Sequence, residues 1–288
     1  MAETVYDLYA ATRKIFKGAG VSMPDLEARE LIAAAAGADK SRTADWGHRY
    51  IDAPTKERAL ELTRRRLDGE PLAYLLGEWD FYGLTFRITP DVLIPRPDTE
   101  RLCELAVARV AQVVNPRVLD LCAGSGCIGL ALAHEVEDAR VVLMDVSEPA
   151  LSVERENAYR LGLQNRAIVM KGDALRPPVS GLGLFHALVC NPPYVTGEEM
   201  GALDRSVAAY EPHLALYGGA DGLDFYRAIA KNGWLDLLVP GGCAYFECGD
   251  RQYPAVAAIF EDTGRGKVHV EEDTFGVQRI VVVETWAE

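Results

Sequence analysis

Two stretches hold residues able to do chemistry at fixed spacing. The first is "VLDLCAGSGCIGLALA", a strand, a glycine-rich turn and a helix start. Its turn, Cys122-Ala123-Gly124-Ser125-Gly126, offers unencumbered backbone N–H groups and lets a ligand approach the main chain closely. The second is "FHALVCNPPYVTG", residues 185–197, where an apolar run stops at an asparagine followed by two prolines and a tyrosine. Proline donates nothing to a sheet ladder, so Pro192 and Pro193 end the strand that starts near His186. The proline after Asn191 biases that residue to an extended conformation. A stiff strand end then holds one amide, Asn191, and one aromatic ring, Tyr194, in fixed relation.

Between these lie two acid-tipped strands, "VLMDVS" with Asp145 and "KGDALRPP" with Asp173. Asp145 is placed to accept from a ribose diol, and Asp173 from an adenine amino group with Ala174 against the ring. Gly124, Gly126 and Gly129 with Asp145 also match a dinucleotide fingerprint, so a nicotinamide-dependent oxidoreductase is a competing expectation. Asp120, inside the strand before the glycines, is unusual for a dinucleotide fold and favours S-adenosylmethionine. Asp120, Asp145, Asp173 and Asn191 are expected to converge on the carboxyl edge of one sheet, where open α/β sheets bind ligands.

These residues need a scaffold, and the chain supplies one in three parts. Residues 1–76 read as a helical bundle, with Pro24 at a helix start, Gly37 at a helix end, and Ala59, Leu60, Leu62 and Leu67 as an apolar stripe. Residues 77–97 read as a β-hairpin linker turning at Gly83, with the next helix starting near Asp98 or Thr99. From 98 to 288 short apolar strands alternate with helical patterns and end in an antiparallel pair, an α/β sheet domain. The net charge of −13 disfavours a direct nucleic-acid partner; "RRR" at 64–66 is the only candidate basic cluster, and a solvated helix face explains it equally well. No signal peptide or membrane span is expected, and the six cysteines read as buried free thiols of a cytoplasmic protein. The histidines lack metal-ligand spacing, so no metal is expected.

The ordered set "LDLCAGSG", "VLMDVS", "KGD" and "NPPY" resembles the Rossmann-like class I methyltransferases that act on amino groups. Within them "LIPRPDTE" and "EPHLALYGGADGLDFYR" closely resemble the HemK-like bacterial release factor glutamine methyltransferases. The resemblance covers nearly the whole chain. This sequence departs from the family pattern at Ala123, usually threonine, at Asp98, usually glutamate, and at Cys248, more often isoleucine.

The resemblance implies transfer of a methyl group from S-adenosylmethionine, leaving S-adenosylhomocysteine, to the glutamine of a Gly-Gly-Gln loop in peptide chain release factors. Cys122, Ala123, Gly124, Ser125, Gly126, Asp145, Asp173, Ala174 and Asn191 are the implied cofactor contacts. Asn191, Pro192, Pro193 and Tyr194 are the implied substrate contacts, with Asn191, Pro192 and Tyr194 catalytic. The helical domain is the implied docking surface of a monomeric enzyme. DNA adenine, RNA guanine or a ribosomal-protein glutamine remain alternative substrates, since the same geometry suits their nitrogens. A fold that binds the cofactor and transfers nothing is a further alternative. Arg96 reads either as a linker residue paired to an acid or as a group that shapes the cofactor mouth or meets the substrate. Glu211 reads as a structural acceptor or a substrate contact, and Glu247 as support for a sheet end.

Overall fold

The computed structural model describes residues 3–287. The chain forms two compact units, one running through Glu78 and taking in Arg205–Tyr210, the other comprising Trp79–Asp204 and the chain from Glu211 onward.

The first unit contains α1 (Val5–Gly18), α2 (Pro24–Ala36), α3 (Ala53–Leu67) and α4 (Leu72–Leu76). Thr4 and Asp7 close a capping box over the start of α1. Pro24 opens α2, and Gly37, in the left-handed conformation, closes it. Helix α3 differs from the expected stripe: Ala59, Leu62 and Thr63 face inward, whereas Leu60 and Leu67 are half-exposed. Leu60 lies one residue beyond Ala59, about 100° round the helix, and so leaves the buried line. The arginine run is not simply solvated either. Arg64 pairs with Glu61 and Asp68, Arg65 with Glu70, and Arg66 with the buried Glu27 on α2. These acids occupy the cluster that would otherwise form a phosphate-binding patch.

The second unit opens with a hairpin, β1 (Glu78–Phe81) and β2 (Leu84–Arg87), turning through Tyr82 and Gly83, both at positive φ. Asn157 fixes it by accepting from the Arg87 N–H at 2.7 Å and donating back to the Arg87 carbonyl at 3.1 Å. Helix α5 (Pro97–Val110) then starts at a proline, with Arg96 at the N-cap and no side-chain cap. This is earlier than Asp98 or Thr99, because the fixed φ of proline suits the first helical position. Thr99 is thereby carried inside the first turn and buried.

There follow β3 (Arg117–Leu121), α6 (Cys127–Glu135), β4 (Arg140–Asp145), α7 (Glu148–Arg160), β5 (Ala167–Lys171), β6 (Phe185–Cys190) and α8 (Gly197–Met200). After α9 (Arg205–Tyr210), which belongs to the first unit, come α10 (Asp224–Lys231), β7 (Leu238–Glu247), α11 (Tyr253–Glu261), β8 (Gly266–Glu272) and β9 (Gln278–Thr285). The sheet order is β5-β4-β3-β6-β7-β9-β8. The first five strands are parallel, and β9 is antiparallel to both neighbours. Leu121 sits beside Cys190 and Asp145 beside Lys171, so the carboxyl ends of the parallel strands are level along one edge. The central strands are apolar on both faces, as a sheet covered by helices on two sides requires. Five cysteines are buried and Cys122 is half-buried, and all six are free thiols. Among the described residues no helix is long and apolar enough to cross a membrane.

Candidate active site

The glycine loop leaves β3 through Cys122, a non-glycine residue at φ 62°, and continues through Gly124 at φ 58°. The three glycines of the fingerprint do different work. A Cβ on Gly124 would meet nothing within 4 Å, so its main chain faces open space. A Cβ on Gly126 would crowd Leu143 and Leu130 at 3.1 and 3.2 Å, and one on Gly129 would strike Leu143 at 2.5 Å. Gly126 and Gly129 therefore serve helix–sheet packing, and Gly126 does not line the cavity at this edge.

Asp145 closes the loop from the next strand. Its Oδ2 accepts from the Gly124 N–H and its Oδ1 from the Ser147 N–H, both at 2.9 Å. Burial pushes its carboxyl above the usual carboxylate range while these backbone donors oppose the shift. Asp173 accepts from the Leu175 N–H at 2.9 Å, with Ala174 buried beside it. Cys122, Ala123, Gly124, Ser125, Asp145, Asp173, Ala174, Asn191 and Pro193 all line one cavity. Asp120 departs from the expected convergence. It is fully buried within β3, with Oδ2 accepting from Gly129 N–H at 2.8 Å and Oδ1 unpartnered. Desolvation, opposed by that bond, pushes its carboxyl up to about 7.

Asn191 follows β6 directly, and its Nδ2 donates to the Thr99 hydroxyl at 3.2 Å. That leaves the Asn191 carbonyl oxygen as the acceptor on a side chain that lines the cavity. Pro192 and Pro193 are buried behind it in trans peptides. Pro192 and Tyr194 are not among the cavity-lining residues; Tyr194 packs against the core beneath the sheet edge. Its backbone is clamped: Gln252 donates to the Tyr194 carbonyl at 3.0 Å and accepts from the Gly249 N–H at 2.8 Å. A Cβ on Gly218 would lie 2.5 Å from the Pro193 carbonyl, and one on Gly222 would lie 2.2 Å from that of Tyr194. The glycines of "YGGADG" thus permit a close backbone approach that no larger residue allows.

The sequence reading missed much of the cavity wall. Asp91, Val92, Leu93 and Pro95 form one side, and Pro212, Leu214, Ala215 and Phe225 another. Arg96, Thr99, Cys127, Ile128, Val146, Ser147, Ala150, Gly172 and Leu175 complete the lining, Arg96 as one of its two expected readings had it. The signal available was the apolar character of "DVLIP" and "PHLAL", which is ambiguous between a core loop and a site wall. Arg96 and Glu211 tie the two loops together: Glu211 accepts from the Arg96 guanidinium and, at 3.2 Å, from the Ile94 N–H. Glu211 is buried, so truncating it strands two donors. Glu211→Ala is expected to weaken cofactor binding about tenfold by loosening both walls, a change read by titration calorimetry.

A mixed sheet whose parallel strands carry a glycine turn after the first, acids at the ends of the next two and an asparagine after the fourth defines a class I methyltransferase. Residues 7–77 match the PrmC N-terminal domain and residues 102–218 the Methyltransferase small domain. A methyltransferase structure from Pyrococcus furiosus shares the fold, with a TM-score of 0.53 at 17% identity over 79% of this chain and 99% of that one. The release factor glutamine methyltransferase of Moorella thermoacetica is 40% identical over 254 residues, 88% of either chain. Its counterpart in Geobacter sulfurreducens is 38% identical over 274 residues, 94% of this chain and 93% of that one. The chain belongs to the release factor glutamine methyltransferase family.

Proposed function

We propose that the chain methylates the side-chain nitrogen of the glutamine in the Gly-Gly-Gln loop of peptide chain release factors, using S-adenosylmethionine. The observation that carries this reading is the Asn191 amide, held by Thr99 and lining the same cavity as the glycine loop and Asp145. The residues fit that cofactor. Gly124 leaves its main chain open, and each Asp145 oxygen keeps a lone pair beyond its backbone bond for a ribose diol. Asp173 and Ala174 suit an adenine. When bound, S-adenosylmethionine supplies an electrophilic sulfonium methyl group and is left as S-adenosylhomocysteine.

The chain's own contribution is alignment. An amide nitrogen is a poor nucleophile because its lone pair is delocalised into the carbonyl. The Asn191 carbonyl and the Pro192 backbone carbonyl accept its two hydrogens and turn that lone pair toward the methyl carbon. Proximity and orientation of this kind supply up to ~7–11 kcal/mol in ideal cases. Fixed dipoles stabilise the positive charge developing on nitrogen. The methylated nitrogen is strongly acidic and loses its proton without a dedicated base. Tyr194, packed against the core and clamped through its carbonyl by Gln252, stiffens the segment that presents these acceptors. Residues 1–76 serve as the docking surface and 77–97 as the linker of a monomeric, cytoplasmic enzyme. Support comes from the separate match of the N-terminal residues to their own domain family. An acidic chain suits a protein substrate with a basic, RNA-facing surface.

The test offers labelled S-adenosylmethionine with unmethylated release factor, ribosomal protein and DNA in separate reactions, and maps any product by mass spectrometry. Label on the Gly-Gly-Gln glutamine is the expected result. Label confined to DNA or to the ribosomal protein overturns the choice of substrate, and hydride transfer with a nicotinamide cofactor in its place overturns the chemistry.

A further inference from the structure

The turn between β8 and β9 holds an aromatic ring out in water on a rigid mount. Phe275, at its tip, is 67% exposed. Asp273, at the start of the turn, is buried, and its Oδ1 accepts from the Phe275 N–H at 2.8 Å and the Val277 N–H at 2.9 Å. Two backbone bonds close the turn again: Asp273 N–H donates to the Val277 carbonyl at 2.8 Å, and Gly276 N–H to the Asp273 carbonyl at 3.1 Å. Arg279 pins the same acid, 2.9 Å from Oδ2, and reaches Asp98 on α5 at 3.7 Å. A lone exposed apolar side chain is ordinary on a protein surface. One carried on a turn with this many fixed bonds has already lost the backbone freedom that binding would otherwise cost.

The sheet puts this turn at the reacting edge. β9 runs antiparallel to β7 with Ile280 beside Glu247, so its amino end lies at the carboxyl ends of the parallel strands. Residues 97–99 join the turn to the Asn191 amide. The Pro97 carbonyl accepts from the Thr274 hydroxyl at 3.5 Å, and two residues on, the Thr99 hydroxyl accepts from Asn191 at 3.2 Å. Strand order fixes the side. Asp145 and Asp173 lie toward β4 and β5, whereas the turn lies beyond β6 and β7. In-line transfer brings the nucleophile from the side opposite the sulfonium, which is the side that Phe275 flanks. The charge there suits a basic partner: Arg279 is mostly buried between Asp98 and Asp273, and Glu272, just before the turn, is exposed.

We propose that Phe275 is an anchor for the protein substrate, its ring packing on the residues that flank the reacting glutamine and holding their loop over Asn191. The inference rests on the release factor reading given above. A loop with two adjacent glycines is mobile when free, because glycine has the most backbone freedom to lose. Docking it on a ring that is already fixed leaves only one partner to be ordered. Aromatic anchors of this kind carry a large share of interface energy. Phe275 is not among the cavity-lining residues, so it acts on binding of the protein substrate and not on the transfer step.

Phe275→Ala is expected to raise KM for unmethylated release factor about tenfold or more, with kcat and S-adenosylhomocysteine affinity each within about twofold of the parent. Phe275→Tyr, which keeps the ring, should hold KM within about threefold of the parent. The ring is exposed, so the melting temperatures of all three proteins should agree within about 2 °C. An unchanged KM in Phe275→Ala, a loss that falls on kcat instead, or equal impairment of the two variants overturns the proposal. Photoreactive benzoylphenylalanine placed at position 275 should cross-link to the loop that carries Gly-Gly-Gln. A cross-link elsewhere on the factor, or to a second copy of this chain, also overturns it. The two failures are distinct. A parent that labels another macromolecule and no release factor overturns the substrate reading, and the anchor falls with it. A parent that methylates release factor with the KM of Phe275→Ala overturns the anchor alone.

Discussion

Asn191→Ala lowers kcat between about a hundredfold and a thousandfold, the range seen when one preorganised polar group is removed from a transition state. Cofactor affinity falls far less. The asymmetry follows from where the side chain sits. Asn191 follows β6 and lines the cavity beside Pro193, while the glycine loop follows β3, Asp145 ends β4 and Asp173 lies just past β5. Removing the amide leaves every one of those groups in place. It also leaves the backbone intact, since Gln252 and the glycines at 218 and 222 clamp that segment through main-chain atoms. What disappears is one of two acceptors for the substrate amide, and with it the rotation that exposes the nitrogen lone pair. Equilibrium titration with S-adenosylhomocysteine alongside single-turnover methyl transfer separates the two effects. A variant that loses cofactor binding as severely as rate would show Asn191 to be a cofactor ligand first.

The strand ends were legible because their chemistry is local. A proline pair must stop a strand, a glycine run must turn, and an acid after an apolar run must lie at an end. Each of these statements needs only neighbours in sequence. Asp120 shows where such reasoning stops. It lies one residue inside the strand end, and alternation turns its side chain toward helix α6 rather than toward the ligand edge. Leu60 and Leu67 fail likewise, because composition marks them as apolar and only helical phase shows that they leave the buried line. The bond between Asn191 and Thr99 was beyond reach, because the two lie far apart in the chain and nothing in "PDTE" or "NPPY" says that they meet.

Glu154 is the residue whose phase could have been read and was not, and it governs a large effect on stability. It lies on α7 in line with Ala150, Leu151, Asn157 and Ala158, a buried stripe of which it is the one acid. Its side chain is fully buried, and neither carboxylate oxygen has a hydrogen-bond partner. Desolvation, with the nearby charges of Asp145 and Asp120, pushes its carboxyl from an ordinary 4.5 up to about 9. The folded protein thus keeps a proton that the unfolded chain releases above pH 4.5. Stability from this group is undiminished below that pH and falls progressively as pH rises toward 9, the reverse of a salt-bridged carboxylate. At pH 7 the deficit is about 3 kcal/mol. Glu154→Gln, neutral in both states and nearly the same shape, is therefore expected to raise Tm of the cofactor-free protein by the order of 5 °C at pH 7. At pH 4.5 the two proteins should melt together, and the gap should widen steadily up to pH 9. Asp120 and Glu247, each held up at about 7, add declines of the same sign that the substitution leaves in place. Calorimetric melting of both proteins across that range decides the matter. A variant that melts lower at every pH would show that the Glu154 carboxylate has a partner worth more than its burial costs.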